Sequence, residues 1–193
     1  MLRIGLSVIT LLISLSALAV PGETAQRFKL DPGHTQVLFK INHLGFSYTY
    51  GMFSDIKGEF SIDDKDVGKS QVAVEIATAS INTLNKDRDD HLRKADFFDA
   101  KKFKSITFKS TKVGKSGENQ YEVTGDLSLH GVTKPITFVF NRLKTGKDPW
   151  GKMRTGGMAT FTLKRTDFGM NYMAKPGGLG DEVEVTLALE GVM

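Results

Sequence analysis

The stretch YEVTGDLSLHGVTKPITFVF, Tyr121–Phe140, decides the fold. Its first half places Tyr121, Val123, Leu127 and Leu129 on one parity, with Glu122, Thr124, Asp126 and Ser128 on the other. Its second half repeats the pattern with Ile136, Phe138 and Phe140, Val139 being the exception. A period of two belongs to a strand with one buried face, because successive side chains point to opposite sides of a sheet. The HGVTKP between the halves is a turn signal, and strands joined by a short turn pair antiparallel.

The same alternation extends in both directions. Val72, Val74 and Ile76 follow it, as do Ile106 and Phe108, then Ala159, Phe161 and Leu163, and finally Val183, Val185, Leu187 and Leu189. Upstream, the apolar parity is even: Phe46, Tyr48, Tyr50 and Met52, then Ile56, Phe60 and Ile62, with Phe53 out of phase. DDKDVGKS, VGKSGEN, TGKDPWGK and KPGGLGD punctuate these runs as turns. With short strands near residues 28–30 and 37–41, the count is about eight, in one domain.

One apolar face per strand gives a sandwich or a closed barrel. A bilayer-spanning barrel also alternates, but with its apolar face outward. The ionised side chains on the polar parity and the charged, irregular turns favour an apolar face turned inward. By parity that face carries Phe39, Phe46, Tyr48, Tyr50, Met52, Phe60, Phe108, Phe138, Phe140 and Phe161. An eight-stranded barrel is just wide enough to be filled by side chains or to hold one small ligand. Parity does not separate these outcomes.

The N-terminus reads differently. MLRIGLSVITLLISLSALA has a basic Arg3, an apolar run and small residues at Ala17 and Ala19, the pattern of a cleaved signal peptide over residues 1–19. The run is short for a membrane span, which needs about 20 residues, and a retained anchor is the competing reading. No Cys follows it, which excludes a lipoprotein anchor. Export to the periplasm is expected, with residues 20–193 forming a single mature domain. The 193-residue chain has no Cys, so no disulfide braces it and no thiolate chemistry is available. Its formal charge of +4 is interspersed, with no basic block or stripe that would suggest nucleic acid.

One segment breaks the sheet pattern. RDDHLRKADFFD, Arg88–Asp99, crowds charges around His91, Phe97 and Phe98. Asn85 is a candidate N-cap, and Asp89–Arg93 and Asp90–Lys94 are i,i+4 pairs with the acid first. A short amphipathic helix over residues 86–96 is expected, its Leu92 and Ala95 side on the barrel, with Phe98 near that face. Plug and movable lid both fit.

These residues carry a family resemblance. Asp31–Phe53 (DPGHTQVLFKINHLGFSYTYGMF), Ser80–Thr111, Val123–Phe138, Lys164–Tyr172 (KRTDFGMNY) and Gly180–Glu190 together resemble the YceI family, in order, over nearly the whole mature chain. The resemblance implies an exported, lipocalin-like eight-stranded antiparallel barrel around an elongated apolar pocket that holds a polyisoprenoid, an isoprenoid quinone or a related long-chain lipid. It implies no single agreed reaction and no cofactor beyond that lipid. Arg88, His91 and Arg93 are then expected at the polar head or rim. Phe39, Phe46, Tyr48, Tyr50, Met52 and Phe98 are expected along the tail channel, and His43 near the mouth.

Other chemistry finds little support. Nothing matches a nucleophile elbow, a P-loop or a dinucleotide fingerprint. His34 and His43 are roughly 30 Å apart along an extended chain, and His91 and His130 complete no ligand spacing, so no metal is expected. The reading is a lipid carrier rather than an enzyme. Its rivals are an enzyme using His43 or His91 as a base on the same amphiphile, and a solid-core stress-related structural protein. A homodimer and a membrane redox or lipid-handling partner are left open.

Overall fold

The computed structural model describes residues 25–193; the expected signal peptide lies outside the described residues. Among the described residues there are eleven strands and one α-helix, α1 (Lys86–Leu92), with three short 3-10 turns. The strands are β1 (Gln26–Leu30), β2 (Gln36–His43), β3 (Ser47–Phe53), β4 (Ile56–Ile62), β5 (Gln71–Ala77), β6 (Ile81–Asn82), β7 (Ser105–Gly117), β8 (Gln120–Leu129), β9 (Val132–Lys147), β10 (Met153–Lys164) and β11 (Glu182–Val192). All pair antiparallel in one sheet.

The eleven strands form eight staves. β1 and β2 are halves of one interrupted stave, since both run along β11, at Leu30↔Gly191 and Val37↔Leu187. β3 and β4 are halves of the next, pairing in turn at Val37↔Phe53 and Phe28↔Phe60. β5 continues through a 3-10 turn into β6, which returns to β3 at Ile81↔Phe53. β11 closes the ring, bonded to β10 on one side and to β1 and β2 on the other. The expected eight-stranded antiparallel barrel is therefore present, with three of its staves broken. The tip read as a turn, His130–Gly131, is a two-residue hairpin between Leu129↔Val132 with both residues at positive φ, the conformation that matches strand twist.

The inward parity holds on β8, where Tyr121, Val123, Leu127 and Leu129 are buried and Glu122 and Asp126 exposed. On β3 it is reversed. Val37 and Phe39 face inward, and their cross-strand partners Phe53 and Gly51 share that face. Phe46, Tyr48 and Tyr50 therefore lie outside the barrel, 89%, 57% and 65% exposed, and Met52 shares their face. Phe53, the residue out of phase, is the buried one. A Cβ on Gly51 would sit 2.3 Å from the Phe39 ring, so only glycine lets that ring lie against β3. The phase changes at Ser54–Asp55, between β3 and β4, where Ile56 and Phe60 resume the even inward parity.

Aromatic rings stack between neighbouring strands. Phe28 stacks on Phe60 with ring centroids at 5.4 Å, and Phe138 on Phe161 at 5.0 Å. Ile81 is fully buried in the β6 segment. Ile81→Ala should cost about 2–5 kcal/mol through lost transfer energy and the cavity left behind, read as a shift of the urea unfolding midpoint.

Candidate functional site: an apolar cavity through the barrel

A cavity of about 450 Å³ occupies the barrel interior. Its wall is hydrocarbon and aromatic: Phe39, Phe60, Val74, Phe108, Leu127, Phe138, Phe161, Val185 and Leu187 contribute. Many of these inward side chains are only partly buried, because they border the cavity as well as their neighbours. The interior is hollow, which removes the solid-core reading. The cavity follows β8 from Tyr121 to Leu129, about 27 Å of strand at the usual rise.

Its two ends differ. One is bordered by His43, Leu44, Arg88, His91, Phe97, Phe98, Tyr172, Met173 and Leu179, and Tyr172 and Met173 remain solvent-exposed there. The other is bordered by Ser61, Ile62, Ser70, Gln71, Tyr121 and Arg142. Of the residues expected at the site, Phe39, His43, Arg88, His91 and Phe98 border this one cavity. Phe46, Tyr48, Tyr50 and Met52 are not part of its lining, for the reason given by the β2–β3 register. Arg93 is also absent from the lining.

The charged segment is a clamp. Asn85 caps α1, its Oδ1 accepting from the Arg88 N–H at 3.0 Å. The buried Asp89 does not pair with Arg93. It accepts from the Thr83 N–H and hydroxyl, at 2.8 and 2.6 Å. Arg88 donates to the Thr83 hydroxyl and carbonyl, and Arg93 donates to the carbonyls of Ala79 and Ile81 and to Asp90. Lys86 takes the i,i+4 place on Asp90 expected of Lys94. These charges fasten the helix to the β6 segment. The helix stops at Leu92, short of the expected residue 96, and Ala95 is exposed rather than on the barrel; Leu92 and, in the turn that follows, Phe98 reach the core, Phe98 meeting Phe53 edge-on at 5.6 Å.

Phe97 points to the rim, where it, His91 and Tyr172 form a three-ring cluster with centroids 5.0–5.4 Å apart. His91 Nε2 is 3.2 Å from the exposed Asp96 carboxylate. The segment carrying Tyr172 and Met173 is organised by Arg165, which is 4% exposed and donates to the carbonyls of Met170, Leu179 and Gly180. His130 Nδ1 lies 3.0 Å from the Phe168 carbonyl, a structural role. Tyr172 and Met173 were missed in the sequence because they sit in a connection, where no period marks an inward face; Arg142 continues the inward parity of Phe138 and Phe140 on β9, but its charge kept it out of an apolar pattern.

Among the described residues, one group has metal-like donors. Asp31, His34 and Glu190 each place a ligand atom within 4.8 Å of the others. A cation is already there: Arg154 Nη1 is 2.6 Å from Asp31 Oδ2 and 2.7 Å from Glu190 Oε1. The residues therefore satisfy one another without a metal.

Fold and site together define a small closed antiparallel barrel with a ligand-sized apolar interior, the lipocalin-like architecture. A barrel from Burkholderia cenocepacia, BcnA, has the same fold, with a TM-score of 0.73 at 23% identity over 83% of this chain and 98% of that one. Residues 28–191 match the model of the YceI-like domain, and the chain belongs to that family. It is 44% identical over 159 residues to a UPF0312 protein of Vibrio cholerae serotype O1 (strain M66-2), covering 82% of each chain. It is 31% identical to the Campylobacter jejuni YceI protein, whose crystal structure superposes with a TM-score of 0.71 over 80% of this chain and 90% of that one. A domain from Saccharophagus degradans described as polyisoprenoid-binding shares the fold at 16% identity, with a TM-score of 0.64 over 86% and 97%.

The Arg154 hydrogen bond and, secondly, the His34 contact hold the Asp31 carboxyl at about 2, below its ordinary 3.8. A lowered carboxyl value stabilises the fold above the unfolded value and loses that contribution as pH falls through the folded one. Asp31→Asn should lower the melting temperature at neutral pH. The gap to wild type should close as pH falls from about 4 towards 2, as followed by circular dichroism.

Proposed function

We propose that the protein is a periplasmic binding protein that takes up one long apolar molecule, a polyisoprenoid or similar long-chain lipid, and shields it from water. The single observation that carries this reading is the elongated cavity, whose volume lies within the ordinary range for ligand sites of roughly 300–1,000 Å³. Each methylene moved from water onto such a wall contributes roughly 0.8 kcal/mol before ordering costs. Several isoprene units would bind tightly without a hydrogen bond, and selection would act on length and shape. The polyisoprenoid-binding description of the Saccharophagus degradans domain supports the same ligand class.

The rim supports a binding role over a catalytic one. The mark of a histidine base inside the cavity would be a carboxylate there within hydrogen-bond reach of it. His91 instead meets Asp96, an exposed residue outside the cavity lining. In this reading the polar head rests at the α1 end, beside His43, Arg88 and His91, with the tail running past Phe39 and Phe98 into the barrel. Periplasmic residence follows from the signal-peptide pattern in residues 1–19. A membrane partner that donates or receives the lipid belongs to the same proposal.

Native mass spectrometry of protein purified from the host periplasm tests it. The expected result is a co-purifying mass in the lipid range. An apo mass with no uptake of added prenols or quinones would count against the proposal. Val185→Trp places an indole in the middle of the cavity, opposite Phe39 across the β2–β11 pair. It should reduce uptake by roughly tenfold or more, a loss of at least about 1.4 kcal/mol of binding, while the protein still unfolds cooperatively.

A further inference from the structure

We infer that Arg142 and Asp64 form a bar across the far end of the cavity that sets the longest chain the barrel accepts; this rests on the cavity holding a long apolar ligand. The ring order locates the bar. Counting staves from β1–β2, the β3–β4 stave is second, β5–β6 third, and β7, β8 and β9 fourth to sixth. In a ring of eight, the second and sixth staves face each other across the full diameter. Asp64 lies two residues beyond the end of β4, and Arg142 is on β9. Arg142 Nη1 donates to Asp64 Oδ1 at 2.8 Å. The loop after β4 therefore crosses the opening, and its Asp64 meets Arg142 on β9 and the Tyr121 hydroxyl on β8.

Two further contacts make the bar firm. The Arg142 guanidinium lies 5.2 Å from the centroid of the Tyr121 ring, a buried residue on the neighbouring β8. The Arg142 N–H donates to the Asn119 carbonyl at 2.8 Å, fixing the backbone that carries the side chain. Arg142 itself borders the cavity and is only 16% exposed, whereas Asp64 stands in solvent at 58%. Arg142 thus enters the cavity lining, and Asp64 holds it from the solvent side.

The chemistry fits an end stop. A hydrocarbon terminus offers neither charge nor hydrogen bond, so it cannot replace Asp64 as the partner of a half-buried guanidinium. To pass, it would have to break the pair and leave the cation beside hydrocarbon, which is unfavourable. The α1 end is bordered instead by Phe97, Tyr172 and Met173, side chains that a polar–apolar amphiphile can lie against. The molecule would enter there and its tail would end at Tyr121, Phe140 and Arg142.

Chain-length selectivity tests the bar. Wild type, Arg142→Ala and Asp64→Asn are each offered farnesol, geranylgeraniol and solanesol, with occupancy read by native mass spectrometry and affinity by competition. Asp64 is exposed and Asn nearly isosteric, so that variant decides the matter even if Arg142→Ala fails to fold. Wild type should show a length beyond which affinity falls. Arg142→Ala should move that limit to longer chains, with about a fourfold gain for each additional methylene accommodated and little change for farnesol. Asp64→Asn should shift the limit part of the way. Uptake with the same limit in wild type and in both variants would overturn the bar alone. Uptake of none of the three prenols by wild type would overturn the carrier reading, and the bar with it.

Discussion

The closure of β11 onto the β1–β2 stave is the constraint on which the molecule depends. With no disulfide, the chain holds its shape by pairing each stave with a neighbour on either side. An open sheet of the same strands would leave an edge of unpaired N–H and C=O groups and one face of aromatic residues exposed. Closing the ring removes both liabilities. It also fixes the width of the interior, because stave number and tilt together set the diameter. The hollow follows from that width and from the side chains chosen to face it.

The second determinant is how the ends are finished. At one end Asp89, Arg88 and Arg93 spend their hydrogen bonds on Thr83, Ala79 and Ile81, which binds a charged helix to the edge of a greasy barrel. Arg165 does the same for the Tyr172 segment by donating to three carbonyls. These arginines position apolar rings; they are not spread on the surface as solvated charge. A single design recurs: cations at the periphery hold backbone, and the backbone holds aromatics at the rim.

Much of this was legible from the residues. The alternation on β8, β9, β10 and β11 gave the correct inward face because those strands run long and unbroken, and the Asn85 cap and Phe98 wedge were readable from local spacing. The error of parity was confined to Phe46 and β3. There Phe46, Tyr48, Tyr50 and Met52 made the outward parity look more apolar than the inward one, which holds Thr49, Gly51 and Phe53. Hydrophobicity alone assigns the larger residues to the core, but register decides, and register depends on β2 and on a break at Ser54–Asp55 that carries no strong sequence signal. The charged pairs of α1 were misassigned for a related reason. Helical spacing names which partners are near, while Asp89 was captured by Thr83, a residue outside the helix.

The wall of the cavity, built almost wholly of carbon, has a thermal consequence. Recognition there draws on dispersion and on water leaving hydrocarbon, so association would carry a large negative change in heat capacity. Its enthalpy would then swing steeply with temperature while the free energy stays nearly level. A container of this kind would hold such a ligand almost equally well over a wide span of temperature.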